Sequence, residues 1–230
     1  MTRVCFYCST FTANQVVGRM LMYMKSLEGK IQCDMHIETG PFKWGNVIDF
    51  ELRQARRYPD DTLIFTDAYD FLFVGDPDEV DEIASRQDLL LQTIPCCWPD
   101  ASKASIYDSR NPGETSRWKY VSGCGSIGKG HAIQGAIEYG LDRYPIADPI
   151  DDGRHLWEQD TNDRFWTDLY LDGLGKLDTK CEMTQNLYGA KPGELEIRNG
   201  RLHNLVTGSR PQFIHAAGGT WGRIPKELLP

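Results

Sequence analysis

The segment Leu63-Ile64-Phe65-Thr66-Asp67-Ala68-Tyr69-Asp70-Phe71-Leu72-Phe73 holds the residues of this 230-residue chain best suited to chemistry. An apolar run ends in two carboxylates three positions apart, with a tyrosine between them. A buried strand that carries acidic groups to its carboxyl edge puts them where open α/β sheets bind ligands. Paired carboxylates there suit a hard divalent cation, and such a cation commonly serves a phosphate-bearing substrate. An ordinary strand followed by an Asp-rich turn fits the same letters, because Asp hydrogen-bonds its own backbone in turns. The segment alone leaves both readings open.

His215 closes a short apolar run, Gln212–His215, just before Ala216-Ala217-Gly218-Gly219. A lone histidine there is more often a hydrogen-bonded structural residue than a ligand. Beside Asp67 and Asp70 it would complete a Mn²⁺ or Mg²⁺ site, with phosphate oxygens in the remaining positions and the imidazole favouring Mn²⁺. The Gly218-Gly219 backbone could then approach a diphosphate closely. Asp160-Thr161-Asn162-Asp163 starts a helical pattern, so its polar side chains either cap that helix or bind sugar hydroxyls. Ser122–Gly128 is glycine-rich and reads as a turn or as a place of close ligand approach. The Trp98 indole is either core or the wall of a sugar site.

The elements that must position these residues alternate through the first half. Arg3–Ser9 reads as a strand. Thr12-Ala13-Asn14-Gln15 resembles a capping box, followed by Val17, Met20, Leu21, Met24 and Leu27 at helical spacing and a stop at Gly29. Ile31, Cys33, Met35 and Ile37 alternate as a second strand. Asn46–Arg57 is an amphipathic helix using Val47, Phe50 and Leu52, and Leu63–Phe65 is the strand that delivers the acidic pair. Pro77-Asp78-Glu79 opens a short helix. Strand and helix in alternation predict a parallel α/β sheet. Farther on, Asp88–Gln92 reads as a strand, Cys97–Tyr120 as a long polar loop, and His131–Tyr139 and Thr161–Leu171 as helices. Asn199-Gly200 within Glu194–Leu205 signals a type I′ hairpin. No repeat or linker interrupts the chain, so one domain over 1–230 is the expectation.

Composition narrows the function classes. With 25 basic and 33 acidic residues the net charge is −8, and no basic block offers a non-specific nucleic-acid or anionic-membrane surface. No apolar segment is long enough to span a bilayer. The N-terminal residues lack the charged-then-apolar layout of a secretory signal, so a cytoplasmic protein is expected. Seven unevenly spaced cysteines do not form a disulfide framework. Cys5 and Cys8, three apart on a strand, point to opposite faces and read as buried thiols rather than zinc ligands. Cys96-Cys97 read as packing residues.

Taken in order, these segments resemble a known family: the glycosyltransferase domain of the procollagen lysyl hydroxylase and hydroxylysine glucosyltransferases, a GT-A-type nucleotide-sugar fold. The resemblance runs from about Lys43 to the end and takes in the first strand. It is carried by Phe65–Asp70, Trp98-Pro99-Asp100, Phe165–Asp172, Leu177-Asp178, Gln185-Asn186-Leu187 and the hairpin leading to Pro211–His215. It implies a single α/β domain with a Rossmann-like, mixed but mainly parallel sheet flanked by helices. It further implies that Asp67, Asp70 and His215 hold Mn²⁺ against the diphosphate of a UDP-sugar, and that Tyr69 stacks on the uracil. By the same resemblance Lys43, Ser9 and Thr10 flank the nucleotide and Gly218 offers an amide to the phosphates. Trp98 lines the sugar or acceptor side, and Asp160, Asn162 and Asp163 lie near the transferred sugar.

Departures from the family's pattern fall at Ser122-Gly123-Cys124-Gly125, where the family has Asn-Ser-Gly-Gly, at the thinned acidic run Asp160–Asp163, and at His215–Gly219 with Trp221 beyond. The expected activity is Mn²⁺-dependent transfer of a hexose from a UDP-sugar to a hydroxyl acceptor, with retention at the anomeric carbon. The acceptor hydroxyl would sit on a protein, a glycan or a modified DNA base, without membrane partners. A transferase acting on a hydroxylated DNA base, a catalytically weak nucleotide-sugar-binding protein and a nucleotidyltransferase are the alternatives.

Overall fold

A computed structural model describes residues 1–39, 44–144 and 162–230, with the side chains of 9–16, 38 and 44 also outside the description. A six-stranded sheet forms its centre, in the order β2 (Gln32–Glu38), β1 (Thr2–Ser9), β3 (Thr62–Asp67), β6 (Tyr120–Lys129), β5 (Leu89–Ile94) and β7 (Lys176–Leu177). The β1–β2, β1–β3 and β5–β7 pairs are parallel, whereas β6 runs antiparallel to both β3 and β5. Five strands thus share one direction and one opposes them, a mixed and mainly parallel sheet.

Side-chain alternation along the strands builds a core on each face. Cys5, Tyr7, Leu63, Phe65, Leu89 and Leu91 pack with Ile48, Phe50, Ile133, Ile137, Phe165 and Leu169. Those partners lie on α2 (Trp44–Arg57), α5 (Gly130–Arg143) and α6 (Asn162–Leu171). The intervening Val4, Phe6, Cys8, Ile64 and Leu90 face Met20, Tyr23 and Leu27 of α1 (Thr10–Leu27) and Val80 and Ile83 of α3 (Pro77–Ser85). Cys5 and Cys8 therefore lie in opposite layers, buried as read from their spacing.

A second sheet of three strands follows the order β4 (Phe71–Phe73), β11 (Phe213–His215), β8 (Thr184–Asn186). Its β11 is antiparallel to β4, with His215 opposite Phe71, and parallel to β8. The chain leaves the large sheet at Asp67 and enters the small one at Phe71, so the acidic motif is itself the bridge between them. Asp178 anchors β8 by accepting backbone hydrogen bonds from Glu182, Met183 and Thr184 at 2.8–2.9 Å. Asn199 and Gly200, both at positive φ (53° and 75°), turn the hairpin of β9 (Leu195–Arg198) and β10 (Arg201–Asn204), as the Asn-Gly pair predicts.

Two expectations for the second half are corrected. Cys97–Tyr120 is not one long loop: it contains α4 (Ala104–Arg110), preceded by a 3₁₀ turn that Asp100 caps. Tyr107, 2 % exposed, fixes α4 to the core, an anchor hidden among polar neighbours. Ser122–Gly128 is no turn but the middle of β6, an interior strand. Its glycines answer to close packing rather than chain reversal. A Cβ at Gly123 would stand 2.3 Å from the Asp163 backbone nitrogen, and one at Gly125 would stand 2.5 Å from Gln92 Oε1. β4, β7 and β8 were not read from the sequence; at two or three residues each they carry too little pattern.

Gly123→Ala is expected to cost about 1–3 kcal/mol by overpacking against α6. Gly135→Ala, in exposed helix with nothing within 4 Å of the new methyl, should instead stabilise by about 0.4–1 kcal/mol. Urea unfolding of the two variants checks both signs.

Candidate metal centre

Three elements converge where the two sheets meet. Asp67 ends β3, His215 ends β11, and Cys124 lies in β6, one residue beyond the Thr66–Gly125 pair. One ligand atom from each of Asp67, Cys124 and His215 lies within 4.8 Å of the others. His215 is 1 % exposed, while Asp67 and Cys124 are half-buried. The Cys124 sulfur and the Asp67 carboxylate thus face one another across that short distance. Asp70 stands on His215, its Oδ2 3.2 Å from Nε2, and its Oδ1 is buried without a partner among the described residues.

His215 is gripped from every other side. Its ring stacks on Phe71 with centroids 4.4 Å apart and planes 17° from parallel. Gln92 Nε2 lies 2.6 Å from Nδ1 and Asn186 Nδ2 lies 3.3 Å from it. Both amide residues are fully buried, and Gln92 Oε1 has no partner among the described residues. Turning the Gln92 amide by 180° exchanges its oxygen for its nitrogen. The pair therefore supports either tautomer: an acceptor Nδ1 with Nε2–H aimed at Asp70, or a donor Nδ1–H with the Nε2 lone pair free for a cation.

The electrostatics favour a positive charge here. Burial, then the neighbouring Asp70 charge, raises the Asp67 pKa, against the pull of His215 and the nearby Cys124 thiol. Burial works against a charged His215, yet Asp70, Asp67 and Asp163 together hold its pKa above the ordinary value. The cluster therefore retains a proton where a cation would otherwise balance the carboxylates. Carboxylate, imidazole and sulfur donors this close together fit a divalent metal ion.

Other residues expected near the site divide by position. Asn162 and Asp163 begin α6 and clasp β6: Asn162 Nδ2 donates to the Gly123 carbonyl at 2.9 Å, and the Gly123 N–H donates to Asp163 Oδ1 at 2.7 Å. Both groups thereby acquire a structural task that fixes the strand bearing Cys124. Tyr69 is half-buried against the core beneath α1, and Asp67 with burial raises its phenol pKa. Trp98 is 49 % exposed in the loop after β5, four residues past the strand end, so it is not core. Ser9 and Thr10 join β1 to α1 at the carboxyl edge beside Asp67, since Tyr7 pairs with Asp67. Gly218 has φ 61°, and a Cβ there would meet the Tyr188 ring at 3.1 Å. Lys43 and Asp160 lie outside the described residues.

Sequence reasoning assigned no role to Cys124 or Gln92, and it quoted Asn186 only within the resemblance. A glycine-flanked cysteine in a run bounded by Tyr120-Val121 and Ile127 carried the missing signal, once that run is read as a strand closely approached by other groups.

Residues 28–224 match the family model described as the PLOD GT domain. The chain belongs to this glycosyltransferase family. It is similar to procollagen-lysine,2-oxoglutarate 5-dioxygenase of Drosophila melanogaster, at 29% identity over 199 residues, covering 80% of this chain and 25% of the relative. It is also similar to the human multifunctional procollagen lysine hydroxylase and glycosyltransferase LH3, at 27% identity over 182 residues, covering 74% and 22%. The matched region is a quarter or less of each relative's length. Among solved structures, the apo bifunctional glycosyltransferase WbbM superposes with a TM-score of 0.51 at 9% identity, covering 94% of this chain and 46% of that one. That likeness concerns the fold, and it agrees with the mixed, mainly parallel sheet. Among the described residues of this PLOD GT domain, no helix is long and apolar enough to cross a membrane.

Gln92→Ala is expected to destabilise the domain by about 1–3 kcal/mol, because it strips a buried hydrogen bond from His215 Nδ1. Denaturant unfolding at neutral pH, with far-UV circular dichroism to confirm the native fold, measures it.

Proposed function

We propose that this PLOD GT domain transfers a hexose from a UDP-sugar to a hydroxyl acceptor with the help of a divalent cation, Mn²⁺ or Mg²⁺. The observation that carries the reading is the convergence of Asp67, Cys124 and His215 at the carboxyl edge of the sheet, with Asp70 backing the imidazole. When bound, the cation supplies Lewis-acid stabilisation of the charge that develops on a departing diphosphate, an effect worth several kcal/mol.

The chain's own residues supply the rest. Asp67 and His215 hold the ion, and Asp70 orients His215 through the 3.2 Å contact. Tyr69 stacks on the base, flanked by Ser9, Thr10 and Lys43, while the Gly218 amide serves the phosphates from a left-handed turn. The exposed Trp98 indole gives the acceptor or the sugar an apolar wall. Asp160, Asn162 and Asp163 border the sugar, with Asn162 and Asp163 acting chiefly by fixing β6 through Gly123. Positioning of donor and acceptor hydroxyl, together with this preorganised charge, accounts for the rate. Retention at the anomeric carbon follows from the family resemblance.

A thermal-shift panel of nucleotides and UDP-sugars, with and without Mn²⁺, tests the proposal. Ligand at one hundred times its dissociation constant should add about 2.7 kcal/mol of stability, and only when metal is present. Asp67→Asn is expected to abolish both that shift and metal-dependent release of UDP. No metal-dependent shift with any uridine nucleotide would sink the reading, and binding without turnover would leave a nucleotide-sugar-binding protein.

A further inference from the structure

The ligand cluster contains a sulfur, and that changes which ion it should hold. We propose that the Cys124 thiolate is a direct ligand of the divalent cation beside Asp67 and His215, biasing the site toward Zn²⁺ and Co²⁺ relative to Mn²⁺ and Mg²⁺. This rests on the metal-site reading above and goes beyond it in naming a third donor and the ion class that donor selects.

Three observations carry the inference. First, the donors come from three separate strands, β3, β6 and β11, so no local turn brings them within 4.8 Å of one another. Second, position 124 is locked in place. Its two glycine neighbours admit no Cβ because the Asp163 backbone and Gln92 Oε1 crowd them, and the Gly123 backbone is held at both its N–H and its carbonyl by α6. The side chain between them therefore has a fixed origin, and its sulfur lies within 4.8 Å of an Asp67 carboxylate oxygen. Third, the cluster combines a buried imidazole with a thiol and a carboxylate from two half-buried residues, a donor set that suits a borderline-soft divalent ion.

The step is an exchange without redox change. The Sγ–H bond breaks, the proton passes to solvent, and a sulfur–metal bond forms while the ion sheds a water. Any nitrogen and oxygen site already binds Zn²⁺ more tightly than Mn²⁺, following the general order for divalent first-row metals. The contribution of the thiolate is the excess over that order, and a serine at the same position removes it.

Co²⁺ titrated into the metal-free full chain, anaerobically and with a non-coordinating reductant, gives the readout. One equivalent should produce a near-ultraviolet sulfur-to-cobalt charge-transfer band along with visible ligand-field bands. Cys124→Ser should lose the first and keep the second, its other six cysteines unchanged. Loss of an outer-shell partner already costs roughly 10–100-fold in metal affinity. In competition titrations the serine variant should therefore lose at least about tenfold for Zn²⁺ and much less for Mn²⁺. Ligand-field bands without a charge-transfer band in the unmodified chain would overturn the thiolate ligand and leave the metal reading standing. A charge-transfer band that survives in Cys124→Ser would do the same. No Co²⁺ binding at all would overturn both. The first outcome needs no variant, so a failure of Cys124→Ser to fold does not shield the proposal.

Discussion

The constraint on which this structure turns is the burial of negative charge at a seam. Asp67 and Asp70 stand on either side of the passage from one sheet to the other, and His215 returns from a distant part of the chain to meet them. Carboxylates removed from water are costly unless a positive partner and hydrogen bonds compensate them. In the protein alone that partner is the His215 imidazole, whose pKa three acidic neighbours hold above its ordinary value. The surrounding architecture can be understood as what keeps this compensation in register.

Much of the neighbouring packing serves that end indirectly. Phe71 presents its ring to His215 because β4 and β11 pair with those two residues opposite each other. Gln92 reaches the imidazole from β5 past Gly125 of β6, where a larger residue would crowd its side chain. Asn162 and Asp163 grip β6 at the Gly123 backbone, so the start of one helix sets the position of a strand that carries a candidate ligand. Polar residues that look free to touch a substrate are in part already engaged in holding the scaffold.

How far these arrangements could be read from sequence depends on how local their causes are. The α/β alternation of the first half, the Pro77 helix start and the Asn199-Gly200 hairpin are local, and each appears where its residues say. The identity of β6 is not local. Ser122–Gly128 has the composition of a turn, and it becomes a strand only because β3 and β5 flank it and helix α6 needs its bare backbone. The acidic pair and His215 were legible because their types are uncommon at the ends of apolar runs. Cys124 was not, since a single cysteine among glycines reveals a neighbour only when the pairing partner is known. Tyr107, similarly, anchors a helix through one buried ring that no periodicity marks.

The division of the motif between two sheets has a mechanical side. The Ala216 N–H donates to the Asp70 carbonyl at 2.6 Å, so backbone as well as side chains ties β11 to the far end of the acidic turn. An ion gripped by Asp67 on one sheet and His215 on the other would act as a crosslink between them, closing the span of chain from β4 to β11. Its arrival would then stiffen the whole assembly, and its departure would let the smaller sheet work loose as a unit. A site of this kind is a rivet as much as a reaction centre.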